Sequence, residues 1–205
     1  MVENSTTEEK PLVTITGVNG YLGAHVCLKF LEDGRFRVRG TVRDKWNERK
    51  VAPLRTAFHD FFTDLELVTC DLLKHETIAD AIIGSKYVVH TAFAKYPDPV
   101  HDEPGFQEEV AKQTQVILEA CRANKVKRLV LTSTLTNITE TTENLREYDE
   151  SVWSDLDRLD AYCPFLKAKF IQEEMISKFV ASETNDFGLE FASICPGMIV
   201  GPTLL

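Results

Sequence analysis

The sequence predicts an α/β domain on a doubly wound parallel sheet of about six strands, with helices on both faces. Three observations lead there. Six apolar runs alternate with stretches of helical spacing. Several runs are continuously apolar, as in strands covered on both faces. The first run also ends in a glycine-spaced turn that opens a helix.

In chain order, "LVTIT" (12–16) is a β-branched run ending at Gly17, and 21–31 has helical spacing with Leu22, Val26 and Phe30 on one face, stopped by Gly34. "FRVRGTV" (36–42) alternates as a second strand. Residues 48–62 read as a helix whose start Pro53 limits. "LELVT" (65–69) is a third strand, "HETIADAII" (75–83) a helix closed by Gly84, and "KYVVHTA" (86–92) a fourth strand. Three prolines in 93–105 predict a loop, and 106–124 a long helix with Val110, Ile117, Leu118 and Cys121 inward. "RLVLTST" (128–134) is a fifth strand, 135–160 is polar without a period, 163–181 is helical, and "LEFASICP" (189–196) is a sixth strand. Right-handed crossovers put the loops after the fourth and fifth strands at the carboxyl edge of the sheet, where such folds bind ligands.

The 205 residues are 43% hydrophobic, enough for one domain with a sizeable core behind a polar tail at 1–10 that is expected to be disordered. A formal charge of −9 argues against nucleic acid or an anionic membrane as partner. Five cysteines (27, 70, 121, 163, 195) and five histidines are scattered without ligand spacing, so core thiols in a reducing compartment and no metal site are expected. The start "MVENSTTEEK" has neither a basic nor an apolar segment, and no run nears the ~18 apolar residues of a span, so a cytoplasmic protein is expected. Asn4 and Asn137 fall in glycosylation triplets, read as chance without a secretion signal.

In "TGVNGYLG", Gly17 permits a tight turn, Gly20 lets a pyrophosphate reach the backbone at a helix N-terminus, and Gly23 lets that helix pack close to the sheet. A dinucleotide site follows, with Asn19, Tyr21 and Leu22 in the same turn; a purely structural turn is the alternative. After strand two, "TVRDK" offers Arg43, which can grip a 2′-phosphate bidentately, with Lys50 as a second charge. That selects NADP(H), against a plain solvated basic face or an NAD reading through Asp44. Asp71 and Leu72 after strand three fall near an adenine edge, and Thr91 and Ala92 after strand four fall beside the phosphates.

"VTITGVNGYLG", "VRGTVRDK", "VTCDLL", "VVHTAF", "VKRLVLTST", "YDESVWSD" and "SICPGMIVGP" come in order along nearly the whole chain. Together they resemble the extended short-chain dehydrogenase/reductase superfamily, nearest its dihydroflavonol reductase-like branch. The resemblance implies a Rossmann-type fold, NADP and carbonyl/alcohol redox chemistry. It also implies that Pro196 and Met198 pass near the nicotinamide. That family uses a hydroxyl residue after strand five and Tyr-x-x-x-Lys on the next helix. By alignment, Thr134 holds the substrate oxygen (Ser133 if the register slips by one), and Lys169 binds the ribose and tunes the phenol. The tyrosine position holds Phe165. Tyr162 is seven residues before Lys169, across Pro164, one turn too far back to replace it. Family members also continue well beyond "GP", so the substrate subdomain is expected to be largely absent, either because the chain is a fragment or because it is a minimal cofactor domain with an open substrate side.

Three readings follow. The first is an NADP-dependent reductase of a small carbonyl or alcohol, its proton supplied by Thr134, a water on Lys169, or Tyr162. The second is a catalytically impaired NADP-binding sensor, scaffold or assembly subunit. The third is a nucleotide-sugar epimerase or dehydratase, disfavoured by Arg43. By family analogy, a homodimer would form through helices 106–124 and 163–181. The loop 93–105, with Phe93 and Tyr96, is open to two readings: a cover for an aromatic or apolar compound, or a plain surface loop.

Overall fold

The computed structural model describes residues 9–94, 103–139, 147–155, 158 and 164–205. Six parallel strands form one sheet in the order β3-β2-β1-β4-β5-β6. They are β1 (Leu12–Thr16), β2 (Arg37–Val42), β3 (Leu65–Thr69), β4 (Tyr87–His90), β5 (Arg128–Thr132) and β6 (Glu190–Ile194). The helices are α1 (Tyr21–Asp33), α2 (Glu48–Phe58), α3 (His75–Ile82), α4 (Glu103–Ala123), α5 (Thr136–Thr139) and α6 (Pro164–Ala181). All five residues of β1 are buried, as its central place requires. The strand order reverses between β1 and β4, and a ligand crevice opens there at the carboxyl edge.

Two apolar clusters cover the faces of the sheet. One gathers Val13, Ile15, Cys27, Val51 and Leu54 beneath α1 and α2. The other gathers Ile82, Ile117, Cys121, Leu129 and Ile176 beneath α3, α4 and α6. The chain after β6 runs back across the carboxyl edge to α1. There His25 Nε2 lies 3.0 Å from the Pro202 carbonyl, and Leu204 and Leu205 pack against the first cluster.

Several expected boundaries shift. Helix α1 buries Ala24, Cys27 and Leu31, whereas Leu22, Val26 and Phe30 are only half-buried, because Gly23 and Ala24 let that face approach the sheet most closely. The helix expected over 48–62 breaks at His59, whose φ of 48° is left-handed, and continues as a 3₁₀ turn, His59–Asp64. Pro53 lies inside α2 and does not set its start; so near the N-terminus only one helical hydrogen bond is forfeited. Helix α4 starts at Glu103, inside the expected loop, with Pro104 in its first turn, where a missing N–H costs nothing. A short helix, α5, forms in the stretch where the sequence shows no period, and Asn137 within it is 1% exposed, so the triplet there has no accessible acceptor nitrogen. Of the expected tail, residues 1–8 lie outside the described residues, as do Tyr96, Tyr162 and Cys163, whereas Glu9 pairs with Arg37.

His90, fully buried at the end of β4, sits 2.9 Å through Nδ1 from the Thr16 hydroxyl. That hydroxyl accepts the N–H groups of Thr91 and Ala92 at 3.1 and 3.0 Å, so its own proton goes to Nδ1 and the ring keeps its proton on Nε2. Burial, with the Lys169 charge second, holds the ring down at about 3, so native His90 stays neutral while an unfolded one takes up a proton below ~6.5. The unfolded state thus binds more protons between those values, and stability falls with acidification at up to ~1.4 kcal/mol per pH unit. Urea unfolding between pH 6.5 and 3 should show that slope, reduced by up to one proton in His90→Asn; equal slopes would refute the assignment.

Gly23 marks a second fixed point. A Cβ there would lie 2.2 Å from the Gly17 carbonyl oxygen and 2.8 Å from the Thr91 hydroxyl. Gly23→Ala gains up to ~1 kcal/mol of helix propensity but must push α1 off the sheet. A net loss of about 1–3 kcal/mol in chemical denaturation is expected.

Candidate functional site

The crevice is a cavity of about 500 Å³ between the β1–α1 turn and the ends of β2, β3 and β4. Gly17 makes the turn with φ of 73°; its N–H donates to the Thr41 hydroxyl at 3.1 Å, and its carbonyl accepts the Gly20 N–H at 2.9 Å. Gly20 is exposed at the N-terminus of α1, and a Cβ added to it would stand 3.2 Å from the Gly17 oxygen. The turn is therefore a bare backbone cradle with helix N–H groups beside it, which fits an anionic pyrophosphate.

Of the residues expected at a cofactor, Gly17, Asn19, Gly20, Arg43, Asp71, Leu72, Thr91 and Ala92 line this cavity. Arg43 is exposed and has no hydrogen-bond or ion-pair partner among the described residues. Asp71 accepts the Leu73 N–H at 3.3 Å, which turns the chain after β3 along the cavity rim. Thr91 donates its hydroxyl to the Thr16 carbonyl, pinning β4 to β1. Gly23 stands behind the turn as the close contact, and Leu22 is half-buried. Tyr21 is turned toward Gly201 and His25, edge-on to the imidazole at 5.3 Å. Lys50 is exposed on α2 and does not line the cavity. Pro196 accepts the Leu135 N–H at 2.9 Å, so the chain after β6 stays beside the end of β5, and Met198 is 91% exposed.

Lys169 lies on the inward face of α6, 5% exposed. Its ammonium donates to the Thr132 carbonyl at 2.7 Å and lies 4.1 Å from the centre of the Phe93 ring. Burial pulls it down to about 8, and the Glu173 charge one turn on opposes that shift. Thr134, two residues past the acceptor carbonyl, is half-buried and shares a 2.9 Å hydrogen bond with Thr136. Ser133 is turned inward, 4% exposed, its proton donated to Glu173, so of the two hydroxyls Thr134 is the less committed. Phe165, one turn before Lys169, is 40% exposed and packs edge-on against Phe93 at 5.1 Å; Phe93 in turn meets Phe106 at 6.1 Å. Where the dehydrogenase pattern has a phenol, this chain has an aromatic stack against a lysine.

Sequence reasoning did not find Glu173, Asn137, His90 or the role of Phe93. A glutamate four residues after Lys169, on the same helix face, was a readable signal. His90 and Asn137 carry none, since their burial comes from tertiary packing. Another cavity, about 650 Å³ between α6, β6 and residues 148–153, shares none of the glycine turn or Arg43. Among the described residues, no group of metal-ligating side chains converges, and no helix is long and apolar enough to cross a membrane.

The pattern of the NAD dependent epimerase/dehydratase family matches residues 13–203. Dihydroflavonol 4-reductase of Arabidopsis thaliana is 33% identical over 199 residues, 95% of this chain and 50% of that protein. The Solanum lycopersicum enzyme of the same name is 30% identical over 98% of this chain and 53% of its own length. The chain thus spans about half the length of the curated relatives it matches. Vestitone reductase from alfalfa superposes with a TM-score of 0.70 at 26% identity, over 91% of this chain and 56% of the other. Yeast methylglyoxal/isovaleraldehyde reductase in complex with NADPH superposes with a TM-score of 0.77 at 20% identity, over 95% of this chain and 60% of the other, which is a likeness of fold. The match over residues 13–203 shows that this chain belongs to the NAD dependent epimerase/dehydratase family, and it is similar to dihydroflavonol 4-reductases over about half of their length.

Proposed function

We propose that this chain is the cofactor-binding part of an NADP(H)-dependent oxidoreductase acting on a small carbonyl or alcohol. The observation that carries the reading is the cavity joining a bare helix N-terminus to Arg43, which has no ion-pair partner among the described residues. The N–H groups of the turn hold the pyrophosphate, Arg43 the 2′-phosphate through paired N–H bonds, and Asp71 and Leu72 the adenine side. Lys50 joins Arg43 only if its side chain swings in from α2. Lys169 spends one N–H on the Thr132 carbonyl and keeps two for the ribose hydroxyls. The bound nicotinamide supplies or takes the hydride. Thr134 orients the substrate oxygen. A water on Lys169 delivers the proton, because an ammonium that titrates near 8 can release one at neutral pH. The three buried free thiols, Cys27, Cys70 and Cys121, support a reducing compartment, in keeping with a cytoplasmic protein.

One observation favours a second reading. Phe93 covers the Lys169 ammonium and stacks on Phe165, so an aromatic ring stands on the lysine that the ribose would approach. An NADP-binding protein without turnover, a sensor or assembly subunit, fits that arrangement.

NADPH is expected to bind with an enhancement of nicotinamide fluorescence. Arg43→Ala should weaken NADPH ~10–100-fold, the worth of charge-assisted hydrogen bonds, while NADH changes little; equal losses for both would overturn the choice of NADP. Phe165→Tyr restores a phenol one turn from Lys169. It should raise NADPH oxidation over a panel of aldehydes and ketones by ~10²-fold or more; intact binding with no gain would favour the non-catalytic reading.

A further inference from the structure

Glu173 is 1% exposed, and the chemistry above makes no use of it. Its Oε2 accepts the Ser133 hydroxyl and the Asn137 amide, the latter at 2.7 Å, while the same amide also reaches Ser133 Oγ at 3.0 Å. Among the described residues, its Oε1 has only the Cys195 thiol, at 3.9 Å. Helix α6 is thereby fastened to the end of β5 twice, at adjacent residues: Lys169 to the Thr132 carbonyl and Glu173 to the Ser133 hydroxyl. Thr134 is the next residue along. A buried carboxylate that only filled space could be replaced by an apolar side chain at lower desolvation cost. This one holds donors from β5 and α5 and meets the thiol that follows β6.

We propose that Glu173 is the positioning residue of this site, fixing Lys169 and Thr134 in register across the α6–β5 junction. The groups facing Lys169 make this assignment specific. From β4 comes His90, which is buried and neutral. From the segment after β4 comes the uncharged Phe93 ring, and from β5 the Thr132 carbonyl. Cys195, which touches Glu173 from beyond β6, is pushed up by burial and stays a neutral thiol. On the same helix, Glu173 is the negative charge that favours the ammonium, against the burial that disfavours it.

The test titrates Lys169 directly in the full chain without cofactor, so it stands whether or not the NADP reading holds. Trace acetylation with acetic anhydride across pH 5–11, read peptide by peptide by mass spectrometry, gives the midpoint at which the amine becomes reactive. Wild type should show it near 8. Glu173→Gln keeps the shape and removes the charge, so the midpoint should fall by roughly one pH unit or more. If NADPH binds, its affinity should drop in that variant at pH 7.5 and recover toward wild type at pH 6. A residue that only supports the fold would weaken binding equally at both values. A cooperatively folding Gln variant with an unchanged lysine midpoint overturns the proposal. Should that variant not fold, Glu173→Asp keeps the charge but shortens its reach. Faster amide hydrogen exchange at 133–137 and in the first half of α6, with the midpoint held, supports the clamp; unchanged exchange overturns it.

Discussion

Helix α1 follows β1 as closely as it does because position 23 has no side chain, and the rest of the site inherits its geometry from that contact. The Gly17 carbonyl lies where a Cβ of residue 23 would be, and the Thr91 hydroxyl closes the same space from β4. Three elements therefore meet at one point at the reversal of strand order. Thr16 binds them from beneath, accepting two N–H groups of the segment after β4 while its own proton goes to His90. The cradle needs no side chain of its own, since its shape is set by what cannot be placed there. A bare backbone at a helix N-terminus is what a doubly charged bridge between two nucleotides requires.

The other half of the site is organised by charge in an apolar place. Helix α6 turns a lysine and a glutamate inward on one face, at 5% and 1% exposure, and both are satisfied at the end of β5. Phe93 supplies a ring face for the ammonium, and such a contact strengthens once water is removed. The change from phenol to phenyl at residue 165 leaves this framework intact. It removes a hydroxyl from the rim and adds an edge to an aromatic stack, while Lys169 and Glu173 keep their partners at the end of β5.

The six strands of a parallel sheet, five of the helices and the glycine turn were legible because each is written in local spacing: apolar runs between helical stretches, glycines at 17, 20 and 23, and the lysine on α6. The boundary errors have local causes that composition hides. A left-handed His59 ended α2 early, and Pro104 sat in the first turn of α4, where proline is welcome, so a proline-rich stretch read as loop was partly helix. The polar contacts of the site were harder to see. Glu173, Asn137 and His90 are ordinary polar letters in the sequence, and only folding brings residues 36 to 74 positions apart into hydrogen-bond range. Phe93 was visible as an aromatic in a loop, but its place above Lys169 depends on how β4 and α6 meet.

The return of the chain from β6 to α1 bears on how this molecule assembles. His25 and Pro202 are 177 residues apart in sequence, and β1 finds its inner partner β4 across more than 70 residues, Val13 opposite Tyr87. Such contacts give a high contact order, and the loop entropy they cost is recovered only once most of the sheet exists. Docking of Leu204 and Leu205 onto the first core cluster is one of these long-range closures, and it ties the segment after β6 to the helix that opens the crevice.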